Sequence, residues 1–173
     1  MSKTVIENEI IRLRETTPED VDQVIAIERD EDNRRYVYNW PKERHLESIR
    51  SEDERHFMVE DQENDKVIGY IILSSMTSPH DVIEFDRITI DIKGKGYGRQ
   101  CVRLIKKLCF ENYGCHRLWL DVFDDNPKAR KLYESEGFVF EGTLRECKKY
   151  EDGYRSMHIL SMLSHEYGVE ENR

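Results

Sequence analysis

The sequence predicts a three-layered α/β or α+β fold, in which a mixed and largely antiparallel sheet of about seven strands carries helices on both faces. The first half of the chain shows strand patterns joined by polar turns, whereas the second half alternates strand and helix patterns. Hairpins build antiparallel pairs, and strand–helix alternation builds parallel ones. With 173 residues and no repeat or Pro/Gly/Ser-rich linker, we expect one domain over residues 1–173, with its core at about 10–167.

In the first half, Thr17 and Pro18 mark the start of a helix, as an N-cap and a helix-opening proline. Valines and isoleucines over residues 21–27 give this helix an apolar face, and a second short helix begins near Pro41 and runs through Ile49. The strands of this half are predicted at residues 10–14, 56–60, 66–74 and 82–92, with a polar turn at 61–65.

In the second half, a glycine-rich loop at residues 94–98 leads directly into a helix with cysteines and leucines on one side, which stops at 112–114. Another helix is predicted at residues 127–135, with Gly137 as its C-cap. The strands of this half are predicted at residues 118–122, 138–144 and 154–163, and residues 168–173 are expected to fray.

The composition argues against two classes of partner. No apolar run approaches the ~20 residues of a membrane-spanning helix, and no signal-type segment follows Met1, so we expect a cytoplasmic protein with no membrane partner. A formal charge of -9 disfavours nucleic acid, because phosphate binding needs a surplus of Lys and Arg. This charge suits a cationic substrate better, although dispersed acids also fit ordinary solubility.

The cysteines and histidines predict neither a metal site nor a disulfide framework. No Cys-x-x-Cys and no His-x-x-x-His pair occurs, so zinc has no obvious set of ligands. We therefore expect no metal and buried free thiols. The four cysteines are Cys101, Cys109, Cys115 and Cys147.

The glycine loop is the most informative segment. Its residues in order are Lys93, Gly94, Lys95, Gly96, Tyr97, Gly98 and Arg99. Glycines let backbone N–H groups converge on a ligand, and the helix start adds about half a positive charge, which together suit phosphate. No Ser or Thr follows a Gly-Lys pair, and the spacing is Gly-x-Gly-x-Gly after several antiparallel strands, so neither a Walker loop nor a dinucleotide fingerprint fits. A purely steric need for glycine is the alternative.

About 28 residues after this loop comes the segment Asn-Pro-Lys-Ala-Arg-Lys-Leu-Tyr-Glu-Ser-Glu-Gly-Phe, at residues 126–138. Together the two motifs resemble the GCN5-related N-acetyltransferase (GNAT) superfamily, over residues 10–167. The turn at 152–155 before the last strand is similar to the ribosomal-protein and spermidine acetyltransferase branch. The resemblance implies the GNAT fold and an enzyme that transfers the acetyl group of acetyl-CoA to a primary amine, by direct attack on the thioester.

The resemblance also implies how coenzyme A is held. The loop from Lys93 to Arg99 matches the pyrophosphate cradle, although Lys93 stands where the family has Arg or Gln. In the family the pantetheine arm pairs with the strand before the loop, which points to Ile88 and Ile90, and Asn126 matches the residue that hydrogen-bonds this arm.

Acetylation of an amine requires a general base for the amine proton, and a general acid can protonate the leaving thiolate. A primary ammonium has a pKa of ~10.4, so it must lose a proton before it attacks. Glu84 matches a glutamate frequent on this strand in the branch and is the predicted base, directly or through water, with Asp86 in reserve. Tyr133 occupies the family's tyrosine position and would protonate the leaving thiolate, while backbone amides near Ile88 and Ile90 would hold the oxyanion. A solvated strand carboxylate and an aromatic packed on the sheet are the structural alternatives.

In the family that the sequence resembles, the first helix and the stretch after it usually shape the acceptor pocket, and here they carry acidic and aromatic residues that suit a cationic amine. The predicted contacts are Glu28, Glu31, Tyr36 and Tyr38. Three functions stay open: acetylation of a protein N-terminus or small amine, acetylation of a polyamine, and non-catalytic binding of acyl-CoA. Spermidine enzymes of the branch carry an acidic pair where this chain has Asn39 and Trp40. The sequence does not determine the oligomeric state, and a homodimer is one possible assembly because the superfamily often dimerises.

Overall fold

The computed structural model describes residues 2–169, which form one mixed sheet with four α-helices. Strands β1 to β8 are, in chain order, Thr4–Glu7, Ile11–Glu15, Arg55–Asp61, Val67–Ser74, Val82–Ile90, Arg117–Phe123, Val139–Tyr150 and Gly153–Leu163. Helices α1 to α4 are Val21–Arg29, Lys42–Arg50, Tyr97–Lys107 and Pro127–Ser135. The fraying predicted for the C-terminus stays a prediction, because residues 170–173 lie outside the described residues.

The sheet has the order β1-β2-β3-β4-β5-β6-β8-β7. Every neighbouring pair is antiparallel except β5 and β6, which are parallel. The predicted mixed and largely antiparallel sheet is confirmed, with eight strands over residues 2–169 rather than seven. The prediction missed β1, because its apolar residues Val5 and Ile6 are adjacent and give no alternation in a four-residue strand.

Helices cover both faces of the sheet, as predicted. Side chains of α3 and α4, including Ile105 and Tyr133, pack into the larger core with Phe57 and Ile71. On the opposite face, residues of α1 pack on alternate residues of β3 and β4, and α2 lies against α1 and β3. The members of this second core are Val24, Ile27, Met58, Tyr70 and Ile72.

The ends of the helices follow local chemistry. The carboxylate of Asp20 accepts the backbone N–H of Thr17 at 2.8 Å, and Pro18 opens a short 3-10 turn before α1. Helix α3 continues into a π-helical turn at Leu108–Asn112, and the chain then reverses at Gly114 with a φ of 65°. The predicted stop at residues 112–114 is therefore confirmed.

Strand β7 is longer than predicted and carries a bulge. The pairing with β8 steps from Leu144 opposite Met157 to Lys148 opposite Arg155, so two extra residues lie on β7. Within the bulge Glu146 has a φ of 49°, and its N–H donates to Ser156 Oγ at 2.9 Å. The prediction ended this strand at residue 144 because the charged run that follows has no alternation.

The expectation of four buried thiols was wrong for one cysteine. Cys101, Cys109 and Cys115 are buried free thiols, whereas Cys147 is an exposed free thiol within the bulge of β7. Within residues 2–169, no group of three or more His, Cys, Asp or Glu side chains is placed to hold a metal ion. None of the helices in this range is long and apolar enough to cross a membrane.

Candidate functional site

The two parallel strands at the centre of the sheet separate soon after they meet. Strands β5 and β6 pair over three residues, from Val82 opposite Arg117 to Glu84 opposite Trp119. Beyond this point β5 stays paired with β4 as far as Ile90, and β6 stays paired with β8 as far as Phe123. A wedge-shaped gap therefore opens between them, and backbone groups that face it need a hydrogen-bond partner.

A bulge in β5 determines which side chains lie beside this gap. Pairing with β4 steps from Phe85 opposite Leu73 to Arg87 opposite Ile72, which leaves Asp86 unpaired. Ile83, Phe85, Ile88 and Ile90 belong to or pack on the larger core, so their spacing is three residues across the bulge instead of two. Glu84 and Asp86 flank Phe85 and point to the opposite side of the sheet.

Three carboxyl groups meet on that side of the sheet. Asp121 lies on β6, two residues beyond Trp119 and therefore on the same face as Glu84. Burial, together with the charges of Asp86 and Asp121, raises the pKa of Glu84 to about 7. Burial also raises the pKa values of Asp86 and Asp121 above their usual range. A carboxylate with a pKa near neutrality is suited to accept a proton at physiological pH.

Tyr133 on α4 lies at the other side of the gap. Its ring packs edge-on against Phe85 and Phe138, with centroid distances of 6.4 and 5.9 Å. Burial, reinforced by the charge of Asp121, raises the pKa of Tyr133 well above its usual value. The phenol therefore stays protonated, and no hydrogen bond engages it within residues 2–169. Such a group can donate a proton to a nearby leaving group.

Helix α3 begins with unpaired backbone donors. Gly94 and Gly96 have φ values of 79° and 76°, and Gly96 is the N-cap of α3 with no side chain capping the helix. The first amides of a helix have no acceptor within the helix itself, and its dipole adds positive charge there. At Gly98 a β-carbon would come within 3.5 Å of Leu132, so α3 and α4 approach closely at this point. The start of α3 therefore has the geometry of an anion-binding site.

The cations of the loop are mostly engaged elsewhere. Lys93 donates to Asn33 Oδ1 and to the carbonyl of Ile90, and burial lowers its pKa. Arg99 donates to Ser135 Oγ at 2.9 Å and pairs with Glu136. Lys95 is exposed. The backbone amides, more than the side chains, are therefore free to bind phosphate.

Tyr97 and Asn126, two other residues predicted to bind the cofactor, have structural partners. The hydroxyl of Tyr97 donates to Asp61 and ties α3 to the end of β3. Asn126 is the N-cap of α4, where its Oδ1 accepts the backbone N–H of Ala129 at 3.2 Å. Within residues 2–169 its side-chain NH₂ group donates to no acceptor, so this group can still bind a ligand.

An open cleft of about 430 Å³ lies beside the carboxyl cluster. Its walls come from the segment before α2, from β5 and from the end of β7. The lining residues are Tyr38, Trp40, Asp86, Arg87, Cys147, Lys148 and Lys149. A larger cleft of about 500 Å³, which Arg35 and Asp125 help to line, is lined by none of the three carboxyl groups, whereas Asp86 lines the smaller one. The smaller cleft is therefore the candidate acceptor pocket.

Of the predicted acceptor contacts, only Tyr38 lines this cleft. Glu31 is exposed, and Tyr36 is half-buried under the guanidinium of Arg35, 5.3 Å from its ring centroid. Glu28 is buried, 1% exposed, on the inner side of α1. Direct contact of Glu28, Glu31 or Tyr36 with an amine stays a prediction.

Glu28 instead joins the acceptor segment to the sheet. Its Oε1 accepts from Tyr70 at 2.6 Å and from Arg87 at 3.0 Å, and its Oε2 accepts the N–H of Trp40 at 3.3 Å. His45 Nε2 lies 3.1 Å from Oε1 without the alignment of a full hydrogen bond. Burial opposes ionisation of Glu28, but the contacts from His45 and Tyr70 outweigh it and lower its pKa. An ionised Glu28 therefore holds Arg87 and Trp40 in the cleft wall.

Sequence reasoning missed several side chains of the site. Asp121 lies between the core residues Leu120 and Val122, so the sequence indicates that its side chain points away from the core. The sequence does not indicate that Glu84 is its neighbour. Lys148 and Lys149 fall in a charged run without alternation, and the β7 bulge that brings them to the cleft leaves no recognisable pattern. Only the strand pairing reveals these residues.

Comparison with known proteins gives a family match. The model described as "Acetyltransferase (GNAT) family" matches residues 22–138. The chain is similar to a spermidine N(1)-acetyltransferase of Vibrio cholerae, with 32% identity over 120 residues that cover 69% of each chain.

Two solved structures from Vibrio cholerae also match. A spermidine N-acetyltransferase in complex with CoA and spermine gives a TM-score of 0.83 at 27% identity, over 92% of this chain and 99% of that one. A dodecameric spermidine N-acetyltransferase in an intermediate state gives a TM-score of 0.79 at 28% identity, over 96% and 100% of the two chains.

The geometry of the loop predicts a selective effect of Gly96→Ala on the binding of coenzyme A. A left-handed conformation costs a residue with a side chain about 1–2 kcal/mol, so the free loop would relax and binding would have to restore it. We expect the Kd for coenzyme A, measured by calorimetry, to rise by roughly tenfold.

Gly114→Ala is the matched control, because Gly114 also has a positive φ of 65° and open space around its α-carbon. It should lower the free energy of unfolding and leave the Kd unchanged. Equal Kd values for both variants and the unmodified protein would contradict the assignment of the loop.

Proposed function

The chain belongs to the acetyltransferase (GNAT) family and is an N-acetyltransferase that uses acetyl-CoA, and we propose that Glu84 and Tyr133 carry out the transfer. The observation that carries this proposal is the position of Glu84. Its carboxyl group lies where β5 and β6 part, and its pKa is raised to about 7. The acceptor cleft begins two residues away at Asp86.

The donor site has two parts. The gap presents the edge of β5 beyond Glu84 to an extended arm with amide groups, which can pair with the strand as an added strand would. Beyond the end of β5, the uncapped amides of Tyr97, Gly98 and Arg99 suit a diphosphate. When bound, acetyl-CoA supplies the thioester that is attacked. Asn126 can donate to the same arm through its NH₂ group.

The acceptor enters through the cleft and meets the carboxyl cluster. Asp86 and Asp121 attract its ammonium, and Glu84 accepts the proton, directly or through water, as the nitrogen attacks the carbonyl carbon. In this proposal, backbone N–H groups near Ile88 and Ile90 stabilise the negative charge that develops on the carbonyl oxygen. The carbon–sulfur bond then breaks, and Tyr133 protonates the thiolate.

The acceptor itself is proposed as a small primary amine or a protein N-terminus. A polyamine is the second candidate, because the relatives from Vibrio cholerae are named spermidine N-acetyltransferases. We also propose one domain over residues 1–173, a homo-oligomer and a cytoplasmic location. The oligomer is supported by the dodecameric relative, and the location by the four free cysteines, which are typical of a reducing compartment.

A thiol-release assay tests the proposed activity. With acetyl-CoA as donor, the protein should release coenzyme A only when an amine is added. Spermidine, an alanyl peptide and free amino acids separate the acceptor classes. Binding of acetyl-CoA without turnover on any amine would contradict the proposal and indicate a non-catalytic binder.

The pH dependence of kcat/KM tests Glu84. The carboxylate must be ionised to accept a proton, so kcat/KM should rise with pH through about 7 and level off above it. Glu84→Gln should remove this rise and lower kcat/KM by about 10²- to 10⁴-fold.

Asp86→Asn serves as the comparison for Glu84. Because the charge of Asp86 contributes to the raised pKa of Glu84, this variant should keep the rise and move it to lower pH. A normal profile in Glu84→Gln, together with a lost rise in Asp86→Asn, would transfer the role of base to Asp86.

Tyr133→Phe tests the proposed acid. Phenylalanine keeps the packing against Phe85 and Phe138 but cannot protonate the thiolate, so kcat should fall by at least about tenfold. The Kd for acetyl-CoA should stay nearly unchanged. Tyr113→Phe is the control, because it removes an exposed phenol just after the π-helical turn that follows α3. It should leave kcat unchanged. Unchanged turnover in Tyr133→Phe would exclude Tyr133 as the acid.

A further inference from the structure

The bulge in β5 places an acid and a cation side by side on one face of the sheet. Arg87 pairs with Ile72 of the second core, so its side chain lies on the same side of the sheet as Glu84. Asp86, which the bulge leaves unpaired, lines the same cleft as Arg87. A guanidinium and a carboxylate on adjacent residues of one face can form an ion pair.

Within residues 2–169, however, Arg87 forms its ion pair with Glu28 and not with Asp86. Its Nη1 lies 3.0 Å from Glu28 Oε1 and also donates to the carbonyl of Tyr38. Its guanidinium carbon lies 4.0 Å from the ring centroid of Trp40. The carbonyl and the ring are neutral, so Glu28 supplies the negative charge that balances Arg87. The guanidinium is therefore held at α1.

Glu28 is anchored on its other sides. Its carboxylate is buried, and its Oε1 accepts from Tyr70 on β4. Behind His45, which contacts Glu28, Nδ1 of this ring lies 3.2 Å from His56 Nε2, and His56 Nδ1 lies 2.9 Å from Thr16 Oγ1. Burial lowers the pKa of His56 to about 3, so no charge on this second ring competes for Glu28. A carboxylate fixed in this way holds its guanidinium partner in one place.

The elements packed around the carboxyl cluster contribute the other groups that act on it. These groups are Ser74 on β4, Arg87 on β5, Arg44 on α2, Glu54 just before β3, Lys148 on β7 and Tyr133 on α4. Arg44 is bound to Glu54, as Arg87 is to Glu28, and the ring of Trp40 lies between the two guanidinium groups. Both arginines near the cluster are thus paired with a glutamate outside it.

We infer that Glu28 is a positioning residue, which keeps Arg87 away from Asp86 and so leaves the carboxyl cluster without a paired cation. Arg87 placed on Asp86 would cancel the charge that attracts the ammonium. It would also favour the ionised form of Glu84 and make this carboxylate a weaker base. The inference rests on the proposed function, because it needs Glu84 as the base. It gives Glu28 an indirect role, whereas the sequence predicted direct contact with the amine.

The pH profile of kcat/KM in Glu28→Gln tests this role. The substitution keeps the shape of the side chain but removes the charge that balances Arg87, so the positive charge acts on the cluster instead. The midpoint of the rise should move to lower pH by about one unit, because a cation favours ionised carboxylates. KM for the amine should rise by about threefold or more, with the Kd for acetyl-CoA unchanged.

Arg87→Gln distinguishes this role from a loosened cleft wall. Both variants release the segment of Tyr38 and Trp40, so a purely structural effect would change both profiles in the same direction. In Arg87→Gln the midpoint should instead rise, by less than about half a unit, because Arg87 lowers the pKa values of Asp86 and Asp121.

The double variant Glu28→Gln/Arg87→Gln shows whether Glu28 acts through Arg87. In the absence of Arg87, the change at residue 28 should no longer move the midpoint to lower pH. A downward move that persists in the double variant would mean that the charge of Glu28 acts on the cluster by itself, and it would overturn the inference.

Glu60→Gln is the matched control. Glu60 is another buried carboxylate that binds two guanidinium groups, those of Arg12 and Arg14, and its strand β3 lies two strands away from β5. This variant should lower the free energy of unfolding and leave the midpoint unchanged. An equal shift in Glu60→Gln and Glu28→Gln would overturn the role of Glu28.

The outcomes separate this inference from the proposed function. A midpoint that stays near 7 in Glu28→Gln overturns the inference and leaves Glu84 as the base. If Glu28→Gln does not fold, Arg87→Gln decides alone. A rise of about one unit or more would mean that Arg87 already neutralises the cluster and would overturn the inference, whereas the small rise supports it. A rise with pH that persists in Glu84→Gln overturns the role of Glu84 and this inference with it.

Discussion

The separation of β5 from β6 after three residue pairs is the constraint on which the site depends. If the strands stayed paired, their backbone groups would satisfy each other and no ligand could enter the sheet. Because they part at Glu84, the edge of β5 is open to an extended ligand, and the candidate base lies at the closed end of the gap. Tyr133 lies on one side of the sheet and the carboxyl cluster with Asp121 on the other, so a base can take the proton of the attacking amine from one face while an acid protonates the leaving thiolate from the opposite face.

Within residues 2–169, no cation forms an ion pair with the carboxyl groups of Glu84, Asp86 or Asp121. Arg87, the cation next to Asp86 in sequence, is bound to Glu28, and Lys148 stays beyond ion-pair distance. In addition to the effect of burial, the charge of Asp86 raises the pKa values of Glu84 and Asp121, and the charge of Asp121 raises the pKa of Glu84. The buried network around Glu28 costs desolvation, but removing one partner would leave a buried charge unpaired, so the segment of Tyr38 and Trp40 is held firmly.

Much of the fold could be predicted from local patterns, whereas much of the site could not. Alternation located every strand except β1, and the glycines of the loop predicted an uncapped helix start, which the structure contains. The position of Glu28 was not predictable, because its partners Tyr70 and Arg87 are 42 and 59 residues away in sequence. Arg99 and Lys93 have charges that suited phosphate, but Glu136 and Asn33, distant in sequence, engage them. The bulge in β5 determines the position of Asp86, and the bulge after Leu144 in β7 determines that of Lys148. Neither of these bulges contains a glycine from which it could be predicted.

Amide hydrogen exchange with and without coenzyme A tests the central claim most directly. If the ligand pairs with the open edge of β5 and binds the start of α3, exchange should slow at residues 86–90 and 96–99. The buried amides of β3 should change little. Protection confined to other segments, or none at either segment despite saturating coenzyme A, would contradict the proposed donor site and the mechanism built on it.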